Sequence, residues 1–348
     1  MSDGQLSRAS PSGILDLMDG YRRTKILFTA VELGIFDFLN KQPETAHQLN
    51  QHLKLDEPSL KRFLNSCVAL DLLLYDPKEE TYQNSESSDE YLVSTKPTSI
   101  TSYLKHNNNK SYMLWSHVSD ALREGTQRWH QAFHIPSTST EETLFATTHY
   151  ANEAAQMDFL DGMHGMMKIS AAKIVEQFDL SKYKHLVDVG GCSGELAMTA
   201  CNKYPQLRAT IFDLPDVKAA ATKYIHKADR IKYETGNFFK DELPNGDLYV
   251  LGRIIHDWNE QDGIKILTKI YNSLPETNGA VLIVETLLNE DKLGPVHSVL
   301  QDINMLMATS GCERSFSEYK QLLESIGFKR IEAKRTGTRL DVIIGRKH

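Results

Sequence analysis

Val187-Asp188-Val189-Gly190-Gly191-Cys192-Ser193-Gly194-Glu195-Leu196-Ala197 says more about the architecture of this chain than any other segment. An apolar run ends in an acid, turns through three closely spaced glycines and enters a helix-like segment. Glycine has no Cβ and tolerates positive φ, so such a turn brings a ligand against bare backbone. Downstream, Ala209-Thr210-Ile211-Phe212 is a second apolar run that also ends in an acid, Asp213. A carboxylate there can accept hydrogen bonds from a ribose diol. Together the two features point to a nucleoside-containing cofactor at the carboxyl ends of parallel strands.

The spacing of the turn narrows the cofactor. A dinucleotide site would read G-x-G-x-x-G, whereas here Cys192 follows Gly190-Gly191; no G-x-x-x-x-G-K-[ST] loop occurs either. A ligand with a ribose but no phosphate fits better, and S-adenosylmethionine is the common one. Asp188, at the strand end, is placed to order the turn and the ligand's ammonium group. A tight turn of this kind also forms without any ligand, so the rest of the C-terminal half has to decide.

That half alternates. Apolar segments at 186–189, 209–212, 231–233, 247–251 and 280–284 read as short buried strands, with helix-like stretches such as 217–225 and 260–273 between them. Strands alternating with helices imply a parallel sheet covered on both faces. A further helix over 317–326 precedes segments 331–335 and 341–344, which read as a closing antiparallel pair. This is the layout of an α/β class I methyltransferase (Rossmann-like) domain.

The N-terminal part reads mostly helical. Leu17, Tyr21, Ile26, Leu27, Ala30 and Leu33 fall at helical spacing over 15–38, and two short helices follow over 45–53 and 59–70. Segments 72–75 and 81–83 flank a turn-like linker at 76–80, which completes a winged-helix pattern. That fold often binds DNA, but a net charge of −7 argues against a nucleic-acid partner. Residues 132–142, with Pro136 and several hydroxyl residues, read as a loop. The expected division is 1–110 for the winged-helix domain and 111–348 for the catalytic domain with a helical substrate-pocket segment.

Composition bounds the setting. At 41% hydrophobic and 24% charged residues the chain reads as an ordinary globular protein. No apolar run is long enough to span a membrane, and the start lacks a signal-peptide core. Cys67, Cys192, Cys201 and Cys312 form no C-x-x-C pair, which favours reduced thiols in a cytoplasmic setting and no structural metal.

Three further segments carry a family resemblance: Leu251-Gly252-Arg253-Ile254-Ile255-His256-Asp257-Trp258, Glu285-Thr286-Leu287-Leu288 and Gly311-Cys312-Glu313-Arg314-Ser315. In this order, after the glycine turn and Phe212-Asp213-Leu214-Pro215, they resemble the caffeic-acid-type O-methyltransferase superfamily, and within it the hydroxyindole (acetylserotonin) branch. Residues 26–37 and 120–125 share the likeness, which runs over nearly the whole chain. The resemblance implies methyl transfer from S-adenosylmethionine to an oxygen, with S-adenosylhomocysteine as product. It also implies a homodimer built by the winged-helix dimerisation domain.

Residue by residue, the resemblance places His256 as the base, with Glu285 and Glu313 as the acids that orient it. A phenol has a pKa of about 10, so a base near neutrality is useful, and histidine supplies one. The chain has 13 histidines, and it is the surrounding Arg253, Asp257 and Trp258 that single this one out. For the cofactor the matched positions are Tyr150, Gly190, Asp213, Gly236, Asn237, Phe238 and Arg253. Asn237 stands where the family usually has aspartate; its amide can accept through oxygen and also donate. For the substrate, Asp257 and Asn304 match polar positions, and Phe159, Met163, Met305 and Met307 are candidate apolar walls. Ala308 stands where the branch usually has glutamine, and Met167 where a tryptophan is common. The expected function is therefore an S-adenosylmethionine-dependent O-methyltransferase acting on a small aromatic hydroxyl. Two alternatives stay open: a cofactor-binding regulatory module that no longer methylates, and an enzyme for a carboxylate or nitrogen acceptor.

Overall fold

The computed structural model describes residues 10–135, 148–149, 152–225 and 229–348. It divides into two compact units, Met1–Asn108 and Asn109–His348.

In the first unit, helix Ser12–Glu32 stops at Leu33, and a short helix Ile35–Leu39 follows. The single helix expected over 15–38 is therefore broken. Gly34 causes the break: its φ of 69° is left-handed, the conformation that ends helices and that glycine adopts without steric cost. Helix Ala46–Leu53 starts on a capping box between Thr45 and Gln48, and helix Glu57–Ala69 on the Asp56 side chain with Pro58 in its first turn. Strands β1 (Glu44–Thr45), β2 (Leu73–Asp76) and β3 (Thr81–Asn84) form a small antiparallel sheet in the order β1-β3-β2. Two helices followed by this hairpin make the winged helix. Its core gathers Leu49, Leu60, Leu64, Cys67, Leu73 and Tyr82. Ile14, Leu17, Met18 and Tyr21 stay exposed on the first helix at i, i+3, i+4, i+7 spacing, which is one face.

The second unit is built on seven strands: β4 (His185–Val189), β5 (Arg208–Asp213), β6 (Ile231–Thr235), β7 (Leu248–Gly252), β8 (Ala280–Glu285), β9 (Lys329–Lys334) and β10 (Asp341–Arg346). Their order is β6-β5-β4-β7-β8-β10-β9. All pairs are parallel except those of β10, which runs antiparallel to both β8 and β9, so the expected closing pair is present. The expected helix over 217–225 starts and ends earlier, at Pro215–Ala221, because Pro215 sets its first turn.

The central strands read as continuous apolar runs because both of their faces are covered. Val187, Val189, Tyr249, Leu251, Val281 and Ile283 pack in one core with Ile266 and Ile270 of helix Glu260–Ser273, and with Tyr319 and Leu323 of helix Phe316–Ile326. The chain leaves β4 outward to β5 and β6, then returns to β7 on the other side of β4. This reversal is a topological switch point, where ligands bind open α/β sheets beyond the strands' carboxyl ends. The glycine turn follows β4 there, and Arg253 follows β7.

Candidate active site

The turn after β4 is held in left-handed backbone at Gly190 (φ 70°), Cys192 (52°) and Gly194 (75°). Gly190 N–H donates to Phe212 O at 2.8 Å, and Gly194 N–H to Gly191 O at 2.8 Å. A Cβ on Gly191 would lie 2.7 Å from the Asp188 carboxyl carbon, so the turn closes over that acid only as glycine. Asp213 ends β5 and clasps the turn: Cys192 N–H donates to its Oδ2 at 2.8 Å and Leu214 N–H to its Oδ1 at 2.7 Å. Cys192 is the non-glycine member of the strained set, and burial pushes its thiol pKa up, away from a reactive thiolate.

Two carboxylates, Asp188 buried and Asp213 half-buried, thus face one turn. Burial, and then the neighbouring Asp213, raise the Asp188 pKa to about 7. Burial raises that of Asp213 to about 6, opposed by its two backbone donors. Gly236 N–H donates to Asp213 O at 3.0 Å, and a Cβ there would strike the Phe212 ring at 2.4 Å. Asn237 Oδ1 accepts from Phe239 N–H at 2.8 Å, which commits its oxygen to the local turn. The Phe238 ring meets Trp258 edge-on at 6.0 Å. Arg253 has a left-handed φ of 58°; its N–H donates to Val284 O at 2.9 Å, and its Nη1 lies 3.6 Å from Met163 Sδ. Tyr150 lies outside the described residues.

His256 sits in a 3-10 turn, Ile255–Asp257, just beyond the end of β7. Glu285, the last residue of β8, holds this turn by its backbone: Oε1 accepts from the N–H groups of Ile254, Ile255 and His256 at 3.1, 2.9 and 3.3 Å. Its Oε2 is 3.2 Å from His256 Nδ1. Glu313 Oε1 lies 2.7 Å from the same nitrogen. All three residues are buried. With both acids at Nδ1, that nitrogen is the ring's donor to them, and Nε2 is the nitrogen they leave over, 3.6 Å from Asp257 Oδ1. Burial works against a charged ring here, but the attraction of Glu285, then of Glu313 and Asp257, outweighs it and raises the His256 pKa to about 9. Burial also raises the Glu285 and Asp257 pKa values. The ligand atoms of His256, Glu285 and Glu313 all lie within 4.8 Å of one another, a spacing that could hold a metal ion. The 2.7 Å nitrogen–oxygen separation is that of a charge-assisted hydrogen bond, so a shared proton accounts for the group.

The candidate substrate residues fall into two places. Asp257 and Met163 flank His256 and Arg253 as described. Asn304 and Met305 lie on helix Val296–Ala308, and the Asn304 Oδ1 accepts from the Trp115 indole at 3.0 Å. An indole N–H only donates, so this contact fixes which end of the amide is oxygen. The Phe159 ring packs on His149 at 4.3 Å, and His149 packs edge-on to Trp129 at 5.0 Å. Trp129 Nε1–H donates to Ala308 O at 2.8 Å. Met305 is buried with Gln301 against its sulfur. Met307 is fully buried in a small core with Leu114, Ala121 and Trp129. The Met167 methyl lies 3.2 Å from where a Cβ on Gly252 would stand, so that position serves packing beneath the end of β7.

Sequence reasoning left three contributors without a role. Gly311 backs directly on the His256 carbonyl. Asp302 Oδ1 accepts from Glu313 N–H at 2.9 Å and so sets the loop that carries this acid. His164 bonds the glycine turn through Ser193. Gly311 and His164 meet partners from distant parts of the chain, and no spacing rule predicts any of the three contacts. A cavity of about 480 Å³, lined by Asn259, Gly311, Cys312, Arg314 and Glu318 among others, borders the Glu313 loop; neither His256 nor the glycine turn lines it.

Known proteins resemble this chain in sequence and fold. A family model described as the O-methyltransferase domain matches residues 115–329, and one described as the O-methyltransferase dimerisation domain matches residues 15–94. Acetylserotonin O-methyltransferase of Bos taurus is 35% identical over 94% of this chain and 95% of its own length. A probable bifunctional dTTP/UTP pyrophosphatase/methyltransferase protein of Homo sapiens is 35% identical over 97% of this chain, which spans only 54% of that relative. The crystal structure of human N-acetylserotonin methyltransferase in complex with SAM superposes with a TM-score of 0.93, at 33% identity and 99% coverage of both chains.

Proposed function

This chain belongs to the O-methyltransferase family, and on that premise we propose that His256 is the general base for methylating the hydroxyl of a small aromatic acceptor, a hydroxyindole such as N-acetylserotonin or a related phenol. The chain is an S-adenosylmethionine-dependent O-methyltransferase. When bound, S-adenosylmethionine supplies an electrophilic methyl group on a cationic sulfonium and departs as S-adenosylhomocysteine. The donor set here fits such a ligand. The hydrogen bonds that oppose the raised pKa values of Asp188 and Asp213 come from backbone amides, so two carboxylates face the turn with charge to spare for a cation and lone pairs to spare for a diol.

The observation that carries the base assignment is the stacking of both acids on Nδ1. His256 Nε2 takes the proton of the acceptor hydroxyl, and the freed oxygen pair forms the bond to the methyl carbon. The carbon–sulfur pair stays on sulfur. Glu313 and Glu285 then face an imidazolium whose charge they neutralise. A non-catalytic binding module has no use for this arrangement, and a carboxylate acceptor needs no base. A homodimer is supported by the dimerisation domain and by the apolar face of Ile14, Leu17, Met18 and Tyr21. Among the described residues no helix is long and apolar enough to cross a membrane. A cytoplasmic setting is supported by the free thiols. The test is methyl transfer from labelled cofactor to a panel of hydroxyindoles, catechols, phenols and small carboxylic acids. Labelled ethers are expected; label on carboxylic acids alone would overturn the reading.

Two results are expected at the cofactor end. Asp213→Ala should weaken S-adenosylmethionine binding at least about tenfold, because two hydrogen bonds to a charged acceptor are lost; calorimetric affinity equal to wild type removes this residue from the site. Affinity should also depend on pH. The cationic ligand favours ionised Asp188 and Asp213, whose pKa values in the ligand-free protein are about 7 and about 6. Both are raised, so below pH 7 protons compete with the ligand. Kd should therefore tighten as pH rises from 5.5 to 7, with net proton release on binding. Calorimetry in buffers of different ionisation enthalpy reads both, and a pH-independent Kd contradicts the assignment.

A further inference from the structure

Helix Glu153–Val175 carries Phe159 and Met163, and one residue beyond Met163 it also reaches the glycine turn. His164 Nδ1 lies 3.0 Å from Ser193 Oγ and 3.7 Å from Glu195 Oε2. The imidazole stacks on the Tyr224 ring at 4.1 Å and 30°. Lys223, whose ammonium lies over that same Tyr224 ring, bonds Asp161 at 2.6 Å, on the helix turn that leads to His164. The ring is therefore gripped from the turn, from Tyr224 and by its own helix. Burial, then Lys168 and Lys223, push its pKa down to about 4, so at neutral pH it acts as a hydrogen-bonding group and carries no charge.

Ser193 stands between Cys192 and Gly194, both left-handed. A side chain in that backbone region costs of order 1 kcal/mol, so the turn persists only where its surroundings hold it. Among the described residues its anchors include a bond from the Tyr233 hydroxyl to Cys192 O at 3.5 Å and the following three. Gly190 is tied to the Phe212 carbonyl and Cys192 to the Asp213 carboxylate, both from β5. Ser193 is tied to His164, from a different element, whose neighbour Met163 touches Arg253 at the end of β7.

We propose that His164 is a positioning residue for the cofactor: through Ser193 it fixes the glycine turn before the ligand arrives. The proposal rests on the reading that this turn binds S-adenosylmethionine. A preformed turn saves the ligand the cost of ordering it, so loss of the tether appears as lost affinity. Nothing in it requires His164 to touch the ligand.

The experiment is calorimetric binding of S-adenosylmethionine to the full chain and to Asp213→Ala, His164→Ala, His164→Gln, Ser193→Ala and the double variant His164→Ala/Ser193→Ala. His164→Ala and Ser193→Ala should each raise Kd about tenfold. The double variant should be no weaker than the weaker single one, because both delete the same bond. His164→Gln, whose amide can still pair with a hydroxyl, should recover part of the affinity. In turnover, KM for the cofactor should rise by more than kcat falls, a split that general loosening of the fold does not give. Ser193→Ala deletes one oxygen and keeps the test open if His164→Ala folds badly. If Asp213→Ala weakens binding while both tether variants bind as wild type, the inference fails and the site stands. Additive effects of the two tether variants also overturn it. If Asp213→Ala itself binds as wild type, it is the reading of the turn that fails.

Discussion

Replacing His256 by alanine should lower kcat for methyl transfer to a phenolic acceptor by about 10²–10⁴-fold, the usual cost of losing a positioned base. The change should leave cofactor affinity nearly intact, because the carboxylates and glycine turn proposed to hold the cofactor belong to β4, β5 and the turn after β4. Its pH signature is the sharper test. In the ligand-free protein the acids around Nδ1 hold the ring pKa at about 9. That value is raised, so the ring is protonated at neutral pH and the competent, neutral form grows as pH rises. The acceptor kcat/KM should therefore climb between pH 7 and 9 and then level off. In His256→Ala this limb should vanish and leave the acceptor's own ionisation, about pH 10, as the remaining rise. A variant that keeps kcat within threefold, or keeps the limb near 9, takes the base role away from His256.

How much of this was legible in the sequence follows from where each group's partners lie. The glycine turn and Asp213 could be read directly, because turn chemistry and strand ends are local: Gly190, Gly191 and Gly194 sit within five residues, and β5 ends on its acid. The alternation that gives the sheet was equally local, down to the antiparallel β10. Gly34 was not read as a stop, since apolar periodicity continues through it while its left-handed φ ends the helix. The cluster of His256, Glu285 and Glu313 was legible only through family resemblance. Glu285 and Glu313 lie 29 and 57 residues from His256, brought back by the return of β8 and of the loop after helix Val296–Ala308. No spacing rule joins three residues across such crossovers. Resemblance in turn marks side chains that make chemistry: it passed over Asp302 and His164 and gave Gly311 no role of its own, and what these three do appears only in the folded contacts.

Gly311 is where the second large effect is expected: Gly311→Ala should cost about 10²-fold in kcat although residue 311 bears no chemistry. A Cβ at that position would stand 2.0 Å from the His256 carbonyl oxygen and 2.7 Å from the backbone carbons of His256 and Asp257. Both sides of the clash are main chain, so no side chain can rotate out of the way. The 3-10 turn is held against yielding, because Glu285 grips two of its amides and that of Ile254 just before it. The loop must yield, and it is pinned by Asp302 at Glu313 N–H, by the Leu288 amide at Arg314 O and by the Arg314 guanidinium at Ile255 O. A shift of about 1 Å relieves the contact, and it carries Glu313 away from a 2.7 Å bond to Nδ1. Misplacement of that size costs about 10²-fold in positioned catalysis, and forcing an extra methyl into a packed site costs about 1–3 kcal/mol of stability. Kinetics and thermal unfolding should be read together, beside Gly20→Ala, where an added Cβ meets nothing within 4 Å. Gly20 lies inside helix Ser12–Glu32, so its change to alanine should stabilise slightly and leave turnover alone. Loss of stability without loss of kcat in Gly311→Ala would mean that the Glu313 loop does not set the base. Loss of both, with cofactor Kd unchanged, is the pattern expected if the histidine's geometry depends on a missing side chain behind it.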